Sequence, residues 1–364
     1  MATVFPFPRS VEDAHGQTLR VVVSEHREDW DRAAWDEYVT RAPAASLYHR
    51  ACIRDVIEQV YGHRTCYLSA LDAAGAVAGV LPLVYMRSRM FGRFLVSLPF
   101  FNHGGPVASS PEAERRLEEV AVDLARTLDA EHLELRCATA NGCPWPARTD
   151  KVGMVRALPD SEDALWSELG GKLRAQIRRP WKAGATALLG GAERLPEFYT
   201  VFARNMRDLG TPVYPRAFFD SLAEHLGADL SVAVVRLGGR PVAAGVLLRH
   251  RSSLEIPWAS SLRETNRLGT NMLLYWTCLR SAVAMGCDRF DFGRSSPDSG
   301  TYRFKRQWGA RPVPFRWYVW SRGGGQPAPL NPSNPKYRLA VRAWQRLPLW
   351  LANRLGPAIV RNIP

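Results

Sequence analysis

The amino-acid sequence predicts an α/β protein of the α+β type, with two domains of one topology in tandem, each a mostly antiparallel sheet flanked by helices. The chain has 364 residues, which is long enough for two domains at roughly 150 residues each. The periodicity of its apolar residues gives the same order of elements twice. A short motif also recurs, because Val-Ala-Gly-Val-Leu at residues 77–81 corresponds to Ala-Ala-Gly-Val-Leu at residues 243–247.

The first half opens with an amphipathic stretch at residues 50–61, where Ile53, Val56, Ile57 and Val60 recur at helical spacing. Strand-like segments and one long helical segment follow it. We predict strands at 65–71, 77–86, 94–99 and 132–136, a turn at 72–75 and a helix at 111–129.

The second half repeats this order. We predict helices at 217–226 and 271–285 and strands at 231–237, 241–249, 253–260 and 289–293. Gly238-Gly239 is predicted to form a tight hairpin turn, because glycine adopts the positive φ that such turns require. The predicted domains are therefore residues 20–150 and 155–321. They are followed at 322–364 by a linker rich in Gly, Pro, Ser and Asn and by a basic amphipathic tail.

The composition and the apolar runs indicate which class of protein the chain belongs to. Hydrophobic residues make up 46% and charged residues 23% of the chain, as in globular proteins. The N-terminal residues do not read as a signal peptide, and the longest apolar runs are too short to cross a bilayer. The six cysteines form no Cys-x-x-Cys pair, so we predict small buried side chains and no metal site. We expect a cytoplasmic protein.

Positive charge is concentrated at one end of the chain. Residues 299–364 contain twelve Lys and Arg and no Asp or Glu, which leaves about +1 of the net charge of +13 for residues 1–298. Such a segment is expected to meet an anionic partner.

Local motifs carry a family resemblance. Asp-Phe-Gly-Arg-Ser at residues 291–295, followed by Gly-Thr-Tyr-Arg-Phe-Lys-Arg-Gln-Trp-Gly at 300–309, resembles the signature of Fem-type (FemABX) peptidyltransferases of the GNAT superfamily. Asn-Arg-Leu-Gly-Thr-Asn at 266–271 is also similar. Together with residues 98–102 and 205–212, the whole chain resembles Fem-related proteins associated with PEP-CTERM/exosortase and exopolysaccharide systems, whose second domain is BioF2-like.

This resemblance implies transfer of an acyl or aminoacyl group to a cell-envelope or exopolysaccharide precursor, either nucleotide-sugar or lipid-linked. The donor would be aminoacyl-tRNA or acyl-CoA, with no tightly bound cofactor. Members that use CoA carry a Gln/Arg-x-x-Gly-x-Gly/Ala loop, whereas residues 267–271 hold one glycine at a different spacing, which argues against CoA without excluding it. The alternatives are a CoA-dependent N- or O-acetyltransferase of a polysaccharide intermediate, an inactive tRNA- or nucleotide-sugar-binding module, and a membrane-associated scaffold.

The Asp-Phe-Gly strand at 291–293 and the residues after it hold the main catalytic candidates. We expect Lys305 to be exposed in a cleft between the domains, and either Lys305 or backbone N–H groups to stabilise the oxyanion. Asp291 is expected to act as base or to pair with Arg294 or Arg303. Ser295 and Ser296 have no His–Asp companion pattern, so a covalent enzyme intermediate is not expected. Alternating aromatic and basic residues suit a surface that stacks a base or sugar, or else an ordinary edge strand. These substrate-binding candidates are Arg294, Tyr302, Phe304, Arg306 and Trp308.

Three further places are candidates for substrate binding. Lys172 and Arg178 lie in a basic helical segment at 173–182 and its flank, which is either a solvated helix or a phosphate site. The remaining candidates belong to polar loops of the two halves: Asn205, Arg207, Tyr214, Asn102 and His103.

The tail at residues 335–364 has two interpretations. Its arginines alternate with Trp344, Trp350 and leucines, which suits a helix lying on the anionic inner face of a membrane. The same pattern suits a helix that packs its apolar side on the protein itself.

Overall fold

The computed structural model describes residues 11–12, 18–26, 28–88, 92–324 and 335–363. Of these, residues up to 149 together with 315–324 and 362–363 form one compact unit. Residues 150–314 and 335–361 form the second. Most of the predicted linker at 322–334 lies outside the described residues.

The strands of the described part of the chain occur singly or in runs of two to four, separated by helices. In chain order they are β1 (Val11–Glu12), β2 (Thr18–Ser24), β3 (Arg64–Leu71), β4 (Val77–Ser88), β5 (Gly92–Val96), β6 (Val107–Ala108), β7 (His132–Cys137), β8 (Ala147–Arg148), β9 (Val152–Ala157), β10 (Thr186–Gly190), β11 (Leu230–Leu237), β12 (Arg240–His250), β13 (Ser253–Ser261), β14 (Arg289–Ser295), β15 (Arg311–Pro314) and β16 (Arg316–Ser321).

The α-helices lie between these strands and at the end of the chain. They are α1 (Arg32–Arg41), α2 (Cys52–Tyr61), α3 (Pro111–Thr127), α4 (Glu162–Glu168), α5 (Gly171–Lys182), α6 (Leu195–Leu209), α7 (Arg216–Leu226), α8 (Thr270–Ala284), α9 (Gly300–Arg306), α10 (Pro335–Gln345) and α11 (Leu349–Val360).

Each unit is built on one mixed sheet. The first sheet has the order β1-β2-β3-β4-β5-β7-β16-β8, with β6 paired to β4. The second has the order β10-β11-β12-β13-β14-β9-β15. The hairpin β3–β4, the strand β5, the helix α3 and the strand β7 recur as β11–β12, β13, α8 and β14. The predicted tandem repeat is therefore confirmed, and its element boundaries agree to within three residues.

The repeat extends to a parallel strand pair, of which each sheet has one among the described residues. In the first sheet β5 and β7 are parallel over residues 94–96 and 132–134, and in the second β13 and β14 are parallel over 253–255 and 289–291. The remaining strand pairs are antiparallel. Gly238 and Gly239 both have positive φ and form the predicted hairpin turn between β11 and β12.

In each sheet, the strand that pairs with the final strand of the repeat comes from outside that repeat. β16 pairs with β7 in the first sheet, although it follows the second repeat in sequence, and β9 pairs with β14 although it precedes that repeat. Residues 316–321 therefore belong to the first unit, which corrects the predicted second-domain boundary at 321. The alternation of apolar residues along a strand can be recognised in the sequence, but the strand with which it pairs cannot.

Alternate residues of the first sheet face two different helices. Cys66, Leu68 and Leu81 pack with α3 residues such as Leu117 in one core, whereas Tyr67 and Val80 pack with Trp35 and Val39 of α1 on the other face. The second sheet also has helices packed against it, chiefly α6 and α8. All six cysteines are buried and free, as the sequence predicts.

The tail forms the two helices α10 and α11, and both contact α6 of the second unit. Arg207 Nη1 donates to the Leu347 carbonyl at 3.0 Å, and Gln345 Nε2 donates to the Asp208 carbonyl at 3.1 Å. Ala352 and Val360 are buried, at 2% and 7% exposure. The structure thus supports the interpretation in which the tail packs on the protein.

Gly356 gives a direct test of this packing. A Cβ atom at Gly356 would lie 2.8 Å from the Val213 nitrogen and 3.0 Å from its carbonyl oxygen. Glycine-to-alanine changes inside helices usually stabilise by about 0.5–1 kcal/mol. Here we expect Gly356→Ala to destabilise by about 1–3 kcal/mol, because the methyl group meets backbone that cannot move aside cheaply.

The measurement is urea unfolding of the full chain. Gly171→Ala is the control, because a Cβ at Gly171 meets nothing within 4 Å, and it should be neutral or stabilising. A stabilising Gly356→Ala would show that α11 does not pack against the loop at Val213.

Candidate functional site

Two neighbouring parallel strands of the second sheet separate partway along their length. β13 and β14 pair only through Ser253–Arg289, Leu254–Phe290 and Glu255–Asp291. Beyond that point β13 continues along β12, and β14 continues along β9. Residues 256–261 therefore face no other strand on their outer side within the described part of the chain. We call the place where the strands part the fork.

A β-bulge shapes β14 just beyond the fork. Asp291 pairs with Val155 and Arg294 pairs with Gly153, so β14 has one more residue than β9 over this interval. Gly293 takes φ of 73°, a conformation that side chains with Cβ atoms rarely adopt. The Gly293 amide donates to Asp291 Oδ1 at 2.7 Å, so the carboxylate fixes the bulge from within the same strand.

Lys305 fixes the other side of the bulge. Its Nζ donates to the Gly293 carbonyl at 3.0 Å and to the Arg294 carbonyl at 2.8 Å. The residue lies on α9, which begins after Ser299 because the Ser299 hydroxyl accepts a hydrogen bond from the Tyr302 amide. Lys305 is only 7% exposed. The expectation that it is exposed is therefore wrong, and so is the edge-strand alternative for this segment, because a helical turn directs the side chain inward.

Three charged groups meet at the fork. Glu255 and Asp291 are the last paired residues of the two strands, and both carboxylates act electrostatically on Lys305. Burial lowers the pKa of Lys305 to about 8, against the opposing effect of the two carboxylates. Burial also raises the pKa of Asp291, while the Gly293 amide and Lys305 act to lower it. Lys305 remains mostly protonated at neutral pH, so its ammonium can hold both carbonyls.

The aromatic residues of α9 and the turn that follows it point mainly inward. Phe304 contacts Tyr275 edge to face, with ring centroids 4.9 Å apart, and Trp308 is fully buried. The expected role of Trp308 in stacking a base or sugar is therefore wrong, because its ring has no free face. Tyr302 keeps a partly exposed ring, with the Arg306 guanidinium 6.0 Å from its centroid.

A polar cavity of about 560 Å³ lies beside α9. Arg156, Arg306 and Arg311 line it together with Glu168 and Gln307. Arg156 is engaged with the Trp308 carbonyl at 2.7 Å and with Glu168 at 2.6 Å. Arg306 is exposed and is thus the candidate of this group best placed to meet an anion.

The basic helix α5 lies against the region where α8 begins. It contacts α8 and the 3₁₀ turn Arg263–Leu268, and Arg179 donates to the Arg267 carbonyl at 3.0 Å. Lys172 and Arg178 are exposed on this helix, the latter stacked over the Trp166 ring at 5.1 Å. α8 begins after Gly269, which has φ of 78°. Cations beside a helix N-terminus are the groups that would hold the phosphates of a donor such as CoA.

The candidates on α6 and the loop after it have structural contacts. Asn205 donates to the Ser260 hydroxyl at 3.0 Å and so contacts the unpaired part of β13. Arg207 binds Asp208 and the tail, which leaves its predicted substrate role without support. Tyr214 stacks on Phe218 with ring centroids 5.5 Å apart, and its carbonyl accepts from Tyr199.

In the first unit, the place that corresponds to the fork is filled by a loop of that unit. The Ser97 amide donates to the Glu134 carbonyl, and the amides of Gly104 and Gly105 both donate to the Arg136 carbonyl. The Arg136 amide in turn donates to the Ser97 hydroxyl at 2.7 Å. The loop that carries Asn102 and His103 therefore fills the gap beyond β5, whereas the fork of the second unit has no such filling among the described residues.

His103 is poorly suited to acid–base chemistry. Its ring lies between Tyr48 and Phe315, and Nδ1 is buried without a hydrogen-bond partner among the described residues. Burial lowers its pKa to about 3, with His49 adding to the effect. The imidazole is consequently neutral at physiological pH.

The contacts made by two groups of polar residues were not predicted from the sequence. The sequence indicates Glu255 only as part of a strand, because its position opposite Asp291 depends on strand register. In the first unit Asn141 Nδ2 donates to Glu114 at 2.8 Å and to Glu118 at 3.1 Å. The spacing of four residues between these two acids on a helix was the available signal. Within the described ranges no group of three or more His, Cys, Asp or Glu is arranged to hold a metal ion.

Comparison with known proteins supports the fold assignment. Residues 171–306 match the family model described as an acetyltransferase (GNAT) domain. The structure of FemX aligns with a TM-score of 0.64 at 14% identity, over 81% of this chain and 97% of FemX. No protein of curated function matches the chain in sequence.

Two further solved structures share the architecture. The C-terminal domain of a putative lysylphosphatidylglycerol synthetase from Agrobacterium fabrum aligns with a TM-score of 0.54 at 14% identity, over 79% of this chain and 91% of that domain. A tandem GNAT protein from the clavulanic acid biosynthesis pathway aligns with a TM-score of 0.51 at 11% identity, over 85% and 99%. The chain therefore has a tandem GNAT-like fold, and the second repeat carries the GNAT-type domain.

Proposed function

We propose that the chain is an acyl- or aminoacyltransferase that acts on a cell-envelope or exopolysaccharide precursor. The observation that carries the proposal is the fork, where two parallel strands part beside Asp291, Glu255 and Lys305. A GNAT-type domain and the likeness to FemX support an acyltransferase in general. The shared fold with a domain of a lysylphosphatidylglycerol synthetase, an enzyme named after a membrane lipid, favours an envelope acceptor.

The reaction follows from the groups at the fork. The acceptor amine or hydroxyl attacks the acyl carbon of the donor, the new C–N or C–O bond forms, and the ester or thioester bond to the donor breaks. Asp291 takes the proton of the attacking group and passes it to the departing oxygen or sulfur, so the carboxylate is regenerated. Main-chain N–H groups on the unpaired side of residues 256–261 offer hydrogen bonds to the developing oxyanion.

In this mechanism Lys305 is a positioning residue. Its ammonium holds the bulge that presents Asp291, and it favours the ionised form of that carboxylate. Orientation of donor and acceptor supplies most of the acceleration, since no nucleophile constellation supports a covalent intermediate.

The donor is either aminoacyl-tRNA or acyl-CoA, and the exposed cations of α5 beside the start of α8 suit the phosphates of both. A CoA-dependent N- or O-acetyltransferase is the second candidate, favoured by the match of residues 171–306 to an acetyltransferase domain. An inactive binding module remains the non-enzymatic alternative.

A pair of glycine variants tests the proposal. Full-length protein is incubated with radiolabelled aminoacyl-tRNA or acyl-CoA and with nucleotide-linked or lipid-linked envelope precursors. Gly293→Ala should lower transfer at least tenfold, because its φ of 73° is strained for alanine and the bulge must change. Gly238→Ala is the control, because its φ is also positive, at 57°, but it lies in the exposed β11–β12 turn.

Both variants should lose similar stability, about 1–2 kcal/mol. Equal loss of transfer in the two variants would show that the fork has no specific role in the reaction. Absence of transfer by the wild-type protein from every donor would favour the binding module.

A further inference from the structure

Helix α11 buries one side against the second unit, whereas residues 338–343 of α10 are all exposed, and both helices keep large apolar side chains on the surface. Leu339 is 67% exposed, Trp350 is 68% exposed and Leu355 is 41% exposed. These are among the most exposed large apolar side chains in the described part of the chain. Packing of the tail therefore does not account for its apolar residues, since about half of them remain on the surface.

Exposed arginines recur among these exposed apolar residues. Arg338, Arg342 and Arg346 recur every four residues, which places them along one side of α10 and the turn after it, and Arg354 follows Trp350 by one turn of α11. All four are exposed. No acid occurs anywhere in residues 299–364, so the tail has no carboxylate of its own to neutralise them. We define the tail face as Arg338, Leu339, Arg342, Arg346, Trp350, Arg354 and Leu355.

We propose that the tail face is a docking surface for an anionic lipid bilayer. Arginines attract phosphate headgroups, and the exposed Trp and Leu side chains can enter the boundary between headgroups and acyl chains. Tryptophan suits this boundary because one edge of its ring is polar. The tail docks as a preformed pair of helices, so binding requires no release of the tail from the protein.

Two other occupants fit the surface less well. A nucleic acid would use the arginines but would leave the aliphatic side chains Leu339 and Leu355 without a partner. A second copy of this chain would bring one uncompensated positive face against another, which is repulsive. Within the described residues no helix is long and apolar enough to cross a membrane. The proposed contact is therefore peripheral.

The probe is a set of vesicles of phosphatidylcholine, with or without phosphatidylglycerol, sedimented with the full-length protein. We expect binding only when phosphatidylglycerol is present, with partial release by salt. Each arginine near such a surface contributes about 1 kcal/mol, so Arg342→Gln or Arg354→Gln should weaken binding about fivefold. The double variant Leu339→Ser, Trp350→Ser should weaken it at least tenfold and remove the part of binding that salt does not release.

Two matched control variants distinguish an effect of the tail face from an effect of any exposed charge or exposed apolar side chain. Arg240→Gln changes an exposed arginine in the β11–β12 hairpin, and Leu189→Ser changes a 39% exposed leucine of β10. Both should bind vesicles as the wild type does. Because the tail-face side chains are exposed, their variants should keep the wild-type midpoint of urea unfolding, so lost binding cannot be attributed to lost folding.

Three outcomes would overturn the proposal. The first is no binding to anionic vesicles by the wild-type protein. The second is equal loss of binding in the control variants. The third is an interaction of another kind that depends on the tail-face residues while vesicles do not bind. Binding of tRNA would assign the face to nucleic acid, and a change of oligomeric state would assign it to a second copy. None of these outcomes depends on transferase activity, so the proposed function is tested separately.

Discussion

Lys305→Ala is expected to lower transfer at least tenfold, equivalent to about 1.4 kcal/mol of activation free energy. It should also destabilise the protein. The carbonyls of Gly293 and Arg294 lose the donor that holds them at 3.0 and 2.8 Å, and an unsatisfied buried polar group costs about 1–3 kcal/mol. Steady-state transfer and urea unfolding are measured on the same preparations.

Two companion variants separate the loss of function from the loss of stability. Lys305→Met keeps the apolar stem without the charge and should resemble Lys305→Ala in transfer. Arg303→Ala removes an exposed cation of the same helix whose guanidinium donates to the Asp298 carbonyl, and should retain transfer. Normal turnover by Lys305→Met would show that the bulge holds its shape without the ammonium.

The pH dependence of transfer gives a further readout for Lys305. Its pKa is lowered to about 8, so its positive charge is lost as the pH rises through that value. Transfer by the wild-type protein should fall over this range, and Lys305→Arg should move the fall to higher pH because arginine remains charged. If transfer by Lys305→Arg falls at the same alkaline pH as transfer by the wild type, the acceptor and not Lys305 causes the fall.

The second large effect is expected in the first unit, at Glu118. Burial, assisted by Glu114, raises the pKa of this carboxyl from 4.5 to about 7. Because the folded-state pKa is above the unfolded value, Glu118 contributes stability that is full below the unfolded pKa and is lost as the pH rises through about 7. Solvent screening reduces the total change to below about 3 kcal/mol in unfolding free energy.

Glu118→Gln should remove this dependence, because a glutamine resembles the protonated carboxyl and does not titrate. Urea unfolding of wild type and variant across the neutral range is compared, and the variant should be the more stable above the folded-state pKa. Glu119→Gln, at a neighbouring position where the side chain is 61% exposed, is the control. Parallel stability curves for wild type and Glu118→Gln would show that Glu118 ionises freely in the folded protein.

The elements and their repeat could be predicted because they depend on local patterns. Periodicity located α2, and Gly238-Gly239 marked the hairpin, since these signals need no knowledge of distant residues. The exchange of β9 and β16 between repeats could not be predicted, because pairing is decided by which sheet edge is free. Tyr67 and Leu68 illustrate the same point, as their alternation predicts two covered faces but not which helix covers each.

The candidate site could be predicted in its location but not in its chemistry. Asp291 and Lys305 do come together, yet the sequence could not show that Lys305 points inward, because α9 has only seven residues and reads equally well as an edge strand. Glu255 escapes prediction because its position opposite Asp291 is a matter of register between strands more than thirty residues apart. The expectation for Trp308 fails because an aromatic residue among cations looks the same whether it faces water or the core.

The position of β16 in the sequence has a consequence for synthesis on the ribosome. Chains emerge from the N-terminus at about 5–20 residues per second, and domains tend to fold as they appear. The first sheet, however, receives its strand Arg316–Ser321 only after all strands of the second sheet have been made. The second unit can therefore complete its sheet before the first does, and until then the edge of β7 is open to pairing with other chains. A chain arrested just before residue 316 would carry this unprotected edge, so we expect it to need protection by chaperones.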